Sequence, residues 1–357
     1  MANRDDLRGL APEIRVRVNG ADLPAAAQAD LVAVEVLLDV DAPSMFALRL
    51  VNWDGAQHKL TWSDTDQFVL GSAVEVLMGY VDRLETVMVG EITGLEMEMH
   101  AEGTPLLIVR GYDRRHRLMR GHRTRTFRQM KDGDIASQLA RDAGLAAQVE
   151  DTRVSHAYVV QHNQTDFEFL QARAARIGYE VVVEDKTLFF HPPPITTDEA
   201  LTLDREGDLV ELSLRLSSMN EVGELSVRGW DPKTKQPIVA TASPGSERSQ
   251  MGGAASGPST VQTAFEDRPG AASVAQPVAS QAEADQMAQG RFDAMALDYV
   301  WAEGLCAGRS DLRAGMVIRL DGLGQRFSGR YYVTAATHSF SPLRGYRTRF
   351  NVRRNGT

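Results

Sequence analysis

Hydrophobic and polar residues alternate with a period of two through most of the first 112 residues. Turn sequences separate the alternating segments, among them Asn19-Gly20, Asp54-Gly55 and Glu102-Gly103. A period of two places successive side chains on opposite faces of a strand. The segments are 13–18, 31–38, 45–51, 72–80, 86–100 and 105–112. Consecutive strands without an intervening helix predict an antiparallel barrel or sandwich over residues 1–112.

A helical period appears in the next region. Residues 132–145 place apolar side chains on one helical face, and residues 165–178 do so again. The second helix begins with Thr165 and Glu168 at the spacing of a capping box and is followed by Gly178, which suits a helix end. Two short strands follow it, so we predict a compact α+β insert over residues 113–198.

Strand patterns return after the insert and continue to the end of the sequence. We predict a second barrel from residues 199–242 and 281–357, with one helix that begins after Ser280 and has Gly290, a poor helix former, in its middle. Residues 243–280 are rich in Ala, Ser, Gly, Pro and Gln, which predicts a flexible segment. The predicted fold class is therefore mainly β with an α+β insert and two antiparallel β-barrel domains.

Composition narrows the classes of function. The 357 residues carry a formal net charge of −9, which argues against a general nucleic-acid-binding protein. No stretch approaches the ~20 apolar residues of a membrane span, so we expect no stable membrane insertion. The single cysteine, Cys306, and an N-terminus without an apolar signal region predict folding in the bacterial cytoplasm.

Three stretches carry a family resemblance. They are 109–145, with its run of arginines before the first helix of the insert, 159–194, with a Gln-x-Asn lead before a capped helix, and the strand meander 312–354. In this order they resemble the phage late control D family, whose members are baseplate hubs, and the hub portion of VgrG-type injection proteins.

The resemblance implies an assembly. Two related barrels per chain in a homotrimer would give a pseudo-sixfold ring that adapts a sixfold tail tube above it to a threefold spike below it. VgrG-type proteins continue into a collar and needle, whereas this sequence ends at Thr357. We therefore expect the spike to be a separate chain, and other baseplate proteins to be further partners. After cytoplasmic assembly the chain would be part of a phage-like or injection particle, either extracellular or membrane-anchored.

Two groups of arginines are candidates for the assembly interface. Between residues 110 and 128 they could form a solvated loop, a protein interface or a phosphate site, but no aromatic ladder supports nucleic-acid binding. We predict protein contacts, because the guanidinium fork suits carboxylates of a neighbouring chain. No acidic residue follows Asp321, which extends the prediction to the C-terminal strands. The candidates are Arg114, Arg115, Arg117, Arg120, Arg123, Arg125 and Arg128, and Arg344, Arg347, Arg349 and Arg353.

Catalytic and metal-binding patterns are weak. Asp151, Ser155 and His156 form a local acid, serine and histidine group but lack a nucleophile elbow. We therefore expect no enzyme activity, no cofactor and no metal site. Two other hypotheses stay open: a cell-wall hydrolase carried on a baseplate, and a module in which residues 243–280 bind cargo or an anchor.

Overall fold

The computed structural model describes residues 11–81, 83–231, 234–265, 271–275 and 277–357. The first region is built almost entirely of strands, as the alternating pattern predicts. Its elements are β1 (Pro12–Val18), β2 (Ala21–Asp22), α1 (Ala25–Ala29), β3 (Leu31–Asp39), β4 (Met45–Val51), β5 (Ala73–Tyr80), β6 (Arg83–Glu98) and β7 (Leu106–Tyr112). Alternate apolar side chains of these strands, such as Val16, Leu48 and Val76, face one buried core.

The insert follows as two helices and small sheets. A 3-10 helix, Arg114–Met119, leads into β8 (Arg123–Lys131), α2 (Asp132–Asp142), β9 (Ala146–Val149), β10 (Ser155–Gln164), α3 (Asp166–Ile177), β11 (Glu180–Glu184) and β12 (Thr187–His191). The predicted capping box of α3 is present: the Glu168 amide donates to the Thr165 hydroxyl, and the Thr165 amide donates to the Glu168 carboxylate. The insert has a core of its own around Leu139, Leu170 and Phe190.

The remaining chain contributes strands to two different sheets. Its elements are β13 (Leu201–Asp204), β14 (Leu209–Leu216), β15 (Glu224–Asp231), β16 (Gln236–Ala242), α4 (Gly257–Ala264), β17 (Ala271–Ala275), α5 (Gln281–Leu297), β18 (Val300–Ala307), β19 (Val317–Asp321), α6 (Gly324–Phe327), β20 (Gly329–Ser341) and β21 (Gly345–Arg354). The long C-terminal strands β18, β20 and β21 surround a second apolar core that contains Val300, Tyr331 and Phe350.

One continuous sheet of 13 strands joins the first region to the last. Its main order is β14-β18-β21-β20-β3-β4-β7-β6-β5-β1-β2, and β19 and β13 branch from β20. The junction is the antiparallel pairing of β20 with β3, from Ala335 opposite Asp39 to Phe340 opposite Val34. The mainly β fold class with antiparallel sheets is thus confirmed, and the two cores lie within one hydrogen-bonded sheet.

The structure differs from the predicted second barrel between residues 222 and 280. Strands β15 and β16 do not join the large sheet; they form a separate three-stranded sheet in which β17 pairs parallel to β15. Helix α5 covers this sheet with Met287 and Phe292, which gives it a separate apolar core. The segment 243–280, predicted to be flexible, contains α4 and β17 among its described residues, and residues 266–270 and 276 lie outside the described part. Its flexibility stays a prediction. The domain boundaries otherwise stay predictions.

Two glycines set how closely the insert packs on α5. Gly178 ends α3 in a left-handed conformation with φ of 66°. A side chain on Gly290 would place its Cβ 2.2 Å from the carbonyl carbon of Ile177, so α5 has glycine there to allow backbone contact. The glycine that lowers helix propensity is therefore a packing requirement between the two helices.

Candidate assembly surfaces

The first arginine group begins with a buried cluster around Glu91, which lies on β6. Arg114 donates from Nε to Glu91 Oε1 at 3.1 Å, Arg117 donates from Nε to Oε2 at 3.1 Å, and His116 Nε2 lies 2.8 Å from Oε2. Burial alone would raise the pKa of Glu91, but the hydrogen bonds from Arg117 and His116 outweigh it and lower that pKa to about 2. Glu91 is therefore an anion with three basic neighbours.

Arg115 joins the first region to the insert. Its Nε donates to Asp113 Oδ2 at 2.8 Å, and its remaining donors reach the backbone oxygens of Asp39 at 2.7 Å and Val181 at 3.3 Å. The residue is only 1% exposed. Since Asp39 ends β3 and Val181 belongs to β11, a single guanidinium connects the large sheet with the insert.

The structure places the first predicted interface residues inside the chain. Arg114 and Arg115 are buried and have carboxylate partners of the same chain, and their role in assembly stays a prediction. Arg117 is partly exposed, but it also binds Glu91 and the carbonyl of Ala143. The arginine run predicted contacts with carboxylates, and these three arginines do make such contacts, but with carboxylates of the same chain.

The other members of the first group lie at or near the surface of the insert. Arg120 is exposed beside His116, and Arg123 lies 3.8 Å from Asp166. Arg125 binds Asp142 at 3.0 Å and also Asp166, and the Arg128 guanidinium lies over the ring of Tyr158. Their role in assembly stays a prediction.

The C-terminal arginines come together on the outer face of the large sheet. Arg344, Arg347 and Arg349 line one groove with Arg49 and Arg110 from the first region. We call this concavity, of about 450 Å³, the arginine groove. Arg353 lies on the same strand as Arg347 but binds Asp298 at 3.1 Å and does not line the groove. Sequence reasoning missed Arg49, because its strand is about 300 residues from β21.

The candidate catalytic group does not assemble. Asp151 accepts from Lys131 Nζ at 2.7 Å, whereas His156 Nε2 lies 3.2 Å from Asp132 Oδ2 on helix α2. Among the described residues, no three or more His, Cys, Asp or Glu side chains are grouped so that they could hold a metal ion. Within the same residues, no helix has the length and apolar character needed to cross a membrane.

Comparison with known sequences gives a family. The sequence model of the Alg8 N-terminal domain family matches residues 10–341, which is nearly the whole chain. The chain belongs to this family. No curated protein matches it by sequence.

Comparison with solved structures gives the fold. The chain is similar to the 43 kDa tail protein of prophage MuSo2 from Shewanella oneidensis, with a TM-score of 0.70, 14% identity and coverage of 96% of this chain and 98% of that one. It is also similar to a tail protein from Neisseria meningitidis, with a TM-score of 0.67, 14% identity and coverage of 96% of each chain. A third similar structure is a type VI secretion component of E. coli, described as similar to the T4 tail proteins gp27 and gp5. The TM-score is 0.61 at 13% identity, with coverage of 96% of this chain and 77% of that one. At such identities the likeness establishes a shared fold.

Proposed function

We propose that the chain is a structural hub in the baseplate of a phage-like tail or contractile injection particle. The observation that carries the proposal is the whole-chain likeness to tail proteins, which includes the large sheet, the insert and the small sheet together. The type VI secretion component in the same group supports an injection particle of either kind. The resemblance to the late control D family belongs to the same proposal.

The proposed hub is a homotrimer whose ring adapts a sixfold tail tube to a threefold spike made by a separate chain. Each chain contributes two halves of one large sheet, so three chains present six sheet halves around a ring. Residues 1–357 would act without catalytic activity, in contact with the tube protein, the spike and other baseplate proteins.

An open sheet edge supports assembly. At one end of the large sheet, β1 is covered, since the Leu23 amide donates to Val16 O at 3.0 Å and the Gln28 side chain donates to Ile14 O at 2.9 Å. At the other end, β14 pairs with β18 alone within the described part of the chain. Exposed edges of this length are usually covered or paired in soluble proteins. We propose that β14 is covered by a neighbouring chain in the particle.

Native mass spectrometry tests the hub. We expect a species of three times 39.2 kDa for the purified chain, and threefold symmetry in electron-microscopic class averages. A chain that stays monomeric at micromolar concentration, alone and with its tube protein, would contradict the trimer.

The absence of enzyme activity is tested separately. We expect no release of muropeptides from purified cell wall. Turnover that survives purification and is lost on substitution of one acidic residue would instead support the cell-wall hydrolase hypothesis.

A further inference from the structure

The arginine groove crosses the junction between the two halves of the large sheet. Arg347 on β21 is opposite Ser339 on β20, Ser339 is opposite Glu35 on β3, Glu35 is opposite Ala47 on β4, and Ala47 is opposite Arg110 on β7. Four strand steps of ~4.8 Å separate the two arginines by roughly 19 Å. Small side chains form much of the floor between arginine walls, so the surface is concave.

Positive charge in the groove is only partly balanced. Arg110 binds Glu96 at 2.8 Å, Arg49 lies 3.8 Å from Glu98, and Arg349 binds Glu303. All three pairs are substantially exposed and so are weak, worth ~0.2–1 kcal/mol each.

Arg344 and Arg347 have no carboxylate within ion-pair distance among the described residues. Within the described part of the chain, Glu35 is the single acidic residue that lines the groove. This surface is strongly basic on a chain whose net charge is −9, and it therefore favours an acidic partner.

The surroundings of the groove favour a protein over a nucleic acid. Among the described residues that line the groove, the one aromatic side chain is Phe340, which is partly buried against the first core, so the groove has no ladder of rings for stacking on bases. At the tip of the β20–β21 hairpin, Leu343 is 92% exposed beside Arg344. The Arg347 guanidinium donates to the backbone oxygen of Arg344 at 3.4 Å, but neither arginine has a carboxylate partner among the described residues. An apolar side chain next to such guanidinium groups suits a partner that offers carboxylates together with an apolar contact.

We propose that the arginine groove binds an acidic segment of another protein of the particle, with Arg344 and Arg347 donating to its carboxylates. The width between the arginine walls accommodates one helix or a two-stranded ribbon, about 10–12 Å across. The inference rests on the proposed hub function, since it names a docking surface of that hub.

The test uses the full chain and a fluorescein-labelled dodecaglutamate peptide, followed by fluorescence anisotropy at about 0.15 M salt. The variant R344E/R347E reverses the charge of the two groove arginines that have no carboxylate partner among the described residues. The control variant R141E/R326E makes the same change of charge at two exposed arginines outside the groove. We expect the groove variant to lose roughly tenfold or more in affinity, and the control to stay within about twofold, because only the first pair would contact the peptide.

Several results would overturn the proposal. Equal losses in both variants would show that only total charge matters. Tighter binding of a twelve-nucleotide single-stranded DNA than of dodecaglutamate would identify a nucleic-acid surface. A fall in oligomeric mass for R344E/R347E would show that the groove holds a second copy of this chain. One result would separate the two proposals. If the wild-type chain is monomeric and binds the peptide, and R344E/R347E does not bind it, the hub is contradicted and the acidic-segment site in the groove is supported.

Discussion

The cluster around Glu91 and the arginine groove have similar arginine density in the sequence and opposite situations in the structure. In the cluster, Arg114 is buried against Glu91, and the adjacent Arg115 is buried against Asp113. In the groove, Arg344 and Arg347 are exposed and have no carboxylate partner in the described part of the chain. A buried charge needs its partner for the fold to be stable, whereas an exposed one costs little and is available to another molecule. Burial therefore separates the two roles.

The largest expected effect is that of Glu91→Ala. It removes the one carboxylate that Arg114, His116 and Arg117 share and leaves Arg114 with Asp185 as its remaining acidic partner. We therefore expect a loss of about 3–5 kcal/mol in the free energy of unfolding. Urea denaturation followed by circular dichroism measures it. Glu96→Ala, which removes an exposed partner of Arg110, is the matched control and should cost under about 1 kcal/mol. Equal losses in the two variants would remove the distinction between cluster and groove.

A smaller effect is expected when only the charge of Glu91 is removed. Glu91→Gln should cost about 2–3 kcal/mol at neutral pH. The pKa of Glu91 is lowered from 4.5 to about 2. The contribution of its charge to the free energy of unfolding is therefore complete above pH 4.5 and is lost as the pH falls toward 2. The difference between wild type and Glu91→Gln should therefore shrink over that window in urea titrations at successive pH values. A difference that stays constant would mean that Glu91 does not act through its charge.

Glu221 offers a buried carboxylate without a cation. Neither of its oxygens has a hydrogen-bond partner in the described part of the chain, and burial, together with Asp298 and Glu247, raises its pKa to about 8. Folding then favours the protonated form of Glu221. The free energy of unfolding therefore falls as the pH rises from about 4.5 to about 8 and the carboxyl group is ionised in the unfolded chain. The free energy of unfolding of Glu221→Gln, relative to that of the wild type, should therefore rise by about 1–2 kcal/mol when the pH is raised from 5 to 9. A parallel pH dependence of the two proteins would show that Glu221 is already ionised in the fold.

The smallest expected effect on stability is in the groove itself. Arg344→Ala with Arg347→Ala should change the free energy of unfolding by less than about 0.5 kcal/mol, because neither side chain has a carboxylate partner to lose. Thermal unfolding followed by circular dichroism measures it, with Arg141→Ala plus Arg326→Ala as the control. A marked loss of stability would show that the groove arginines stabilise the fold, as the arginines of the buried cluster do.

Local pattern was enough to predict the strands of the first region and the caps of helix α3. The strand from Met45 to Val51 and the Thr165 capping box both depend on residues within a few positions, and both are present. The pairing of β20 with β3 could not be predicted in this way, because it joins segments about 300 residues apart. Glu91 likewise gave no local signal, because it lies on β6 whereas the arginines that bind it belong to the 3-10 helix Arg114–Met119.

The arginines show a second limit. Arg115 and Arg347 have similar neighbours in sequence, and only the packing of the insert against the end of β3 buries the first of them. Gly290 shows a third. Its helix propensity argued against a helix interior, but the contact with Ile177 requires the absence of a side chain. In each case the deciding neighbour comes from a distant part of the sequence.

The junction of β20 with β3 has a mechanical consequence for the proposed hub. Six residue pairs connect the two strands, and their hydrogen bonds lie across the strand direction. A force along the strands loads these bonds together in shear, whereas a force across the sheet would open them one after another. The halves of the molecule thus have no compliant linker at this junction, and tension applied to one half passes through the backbone to the other.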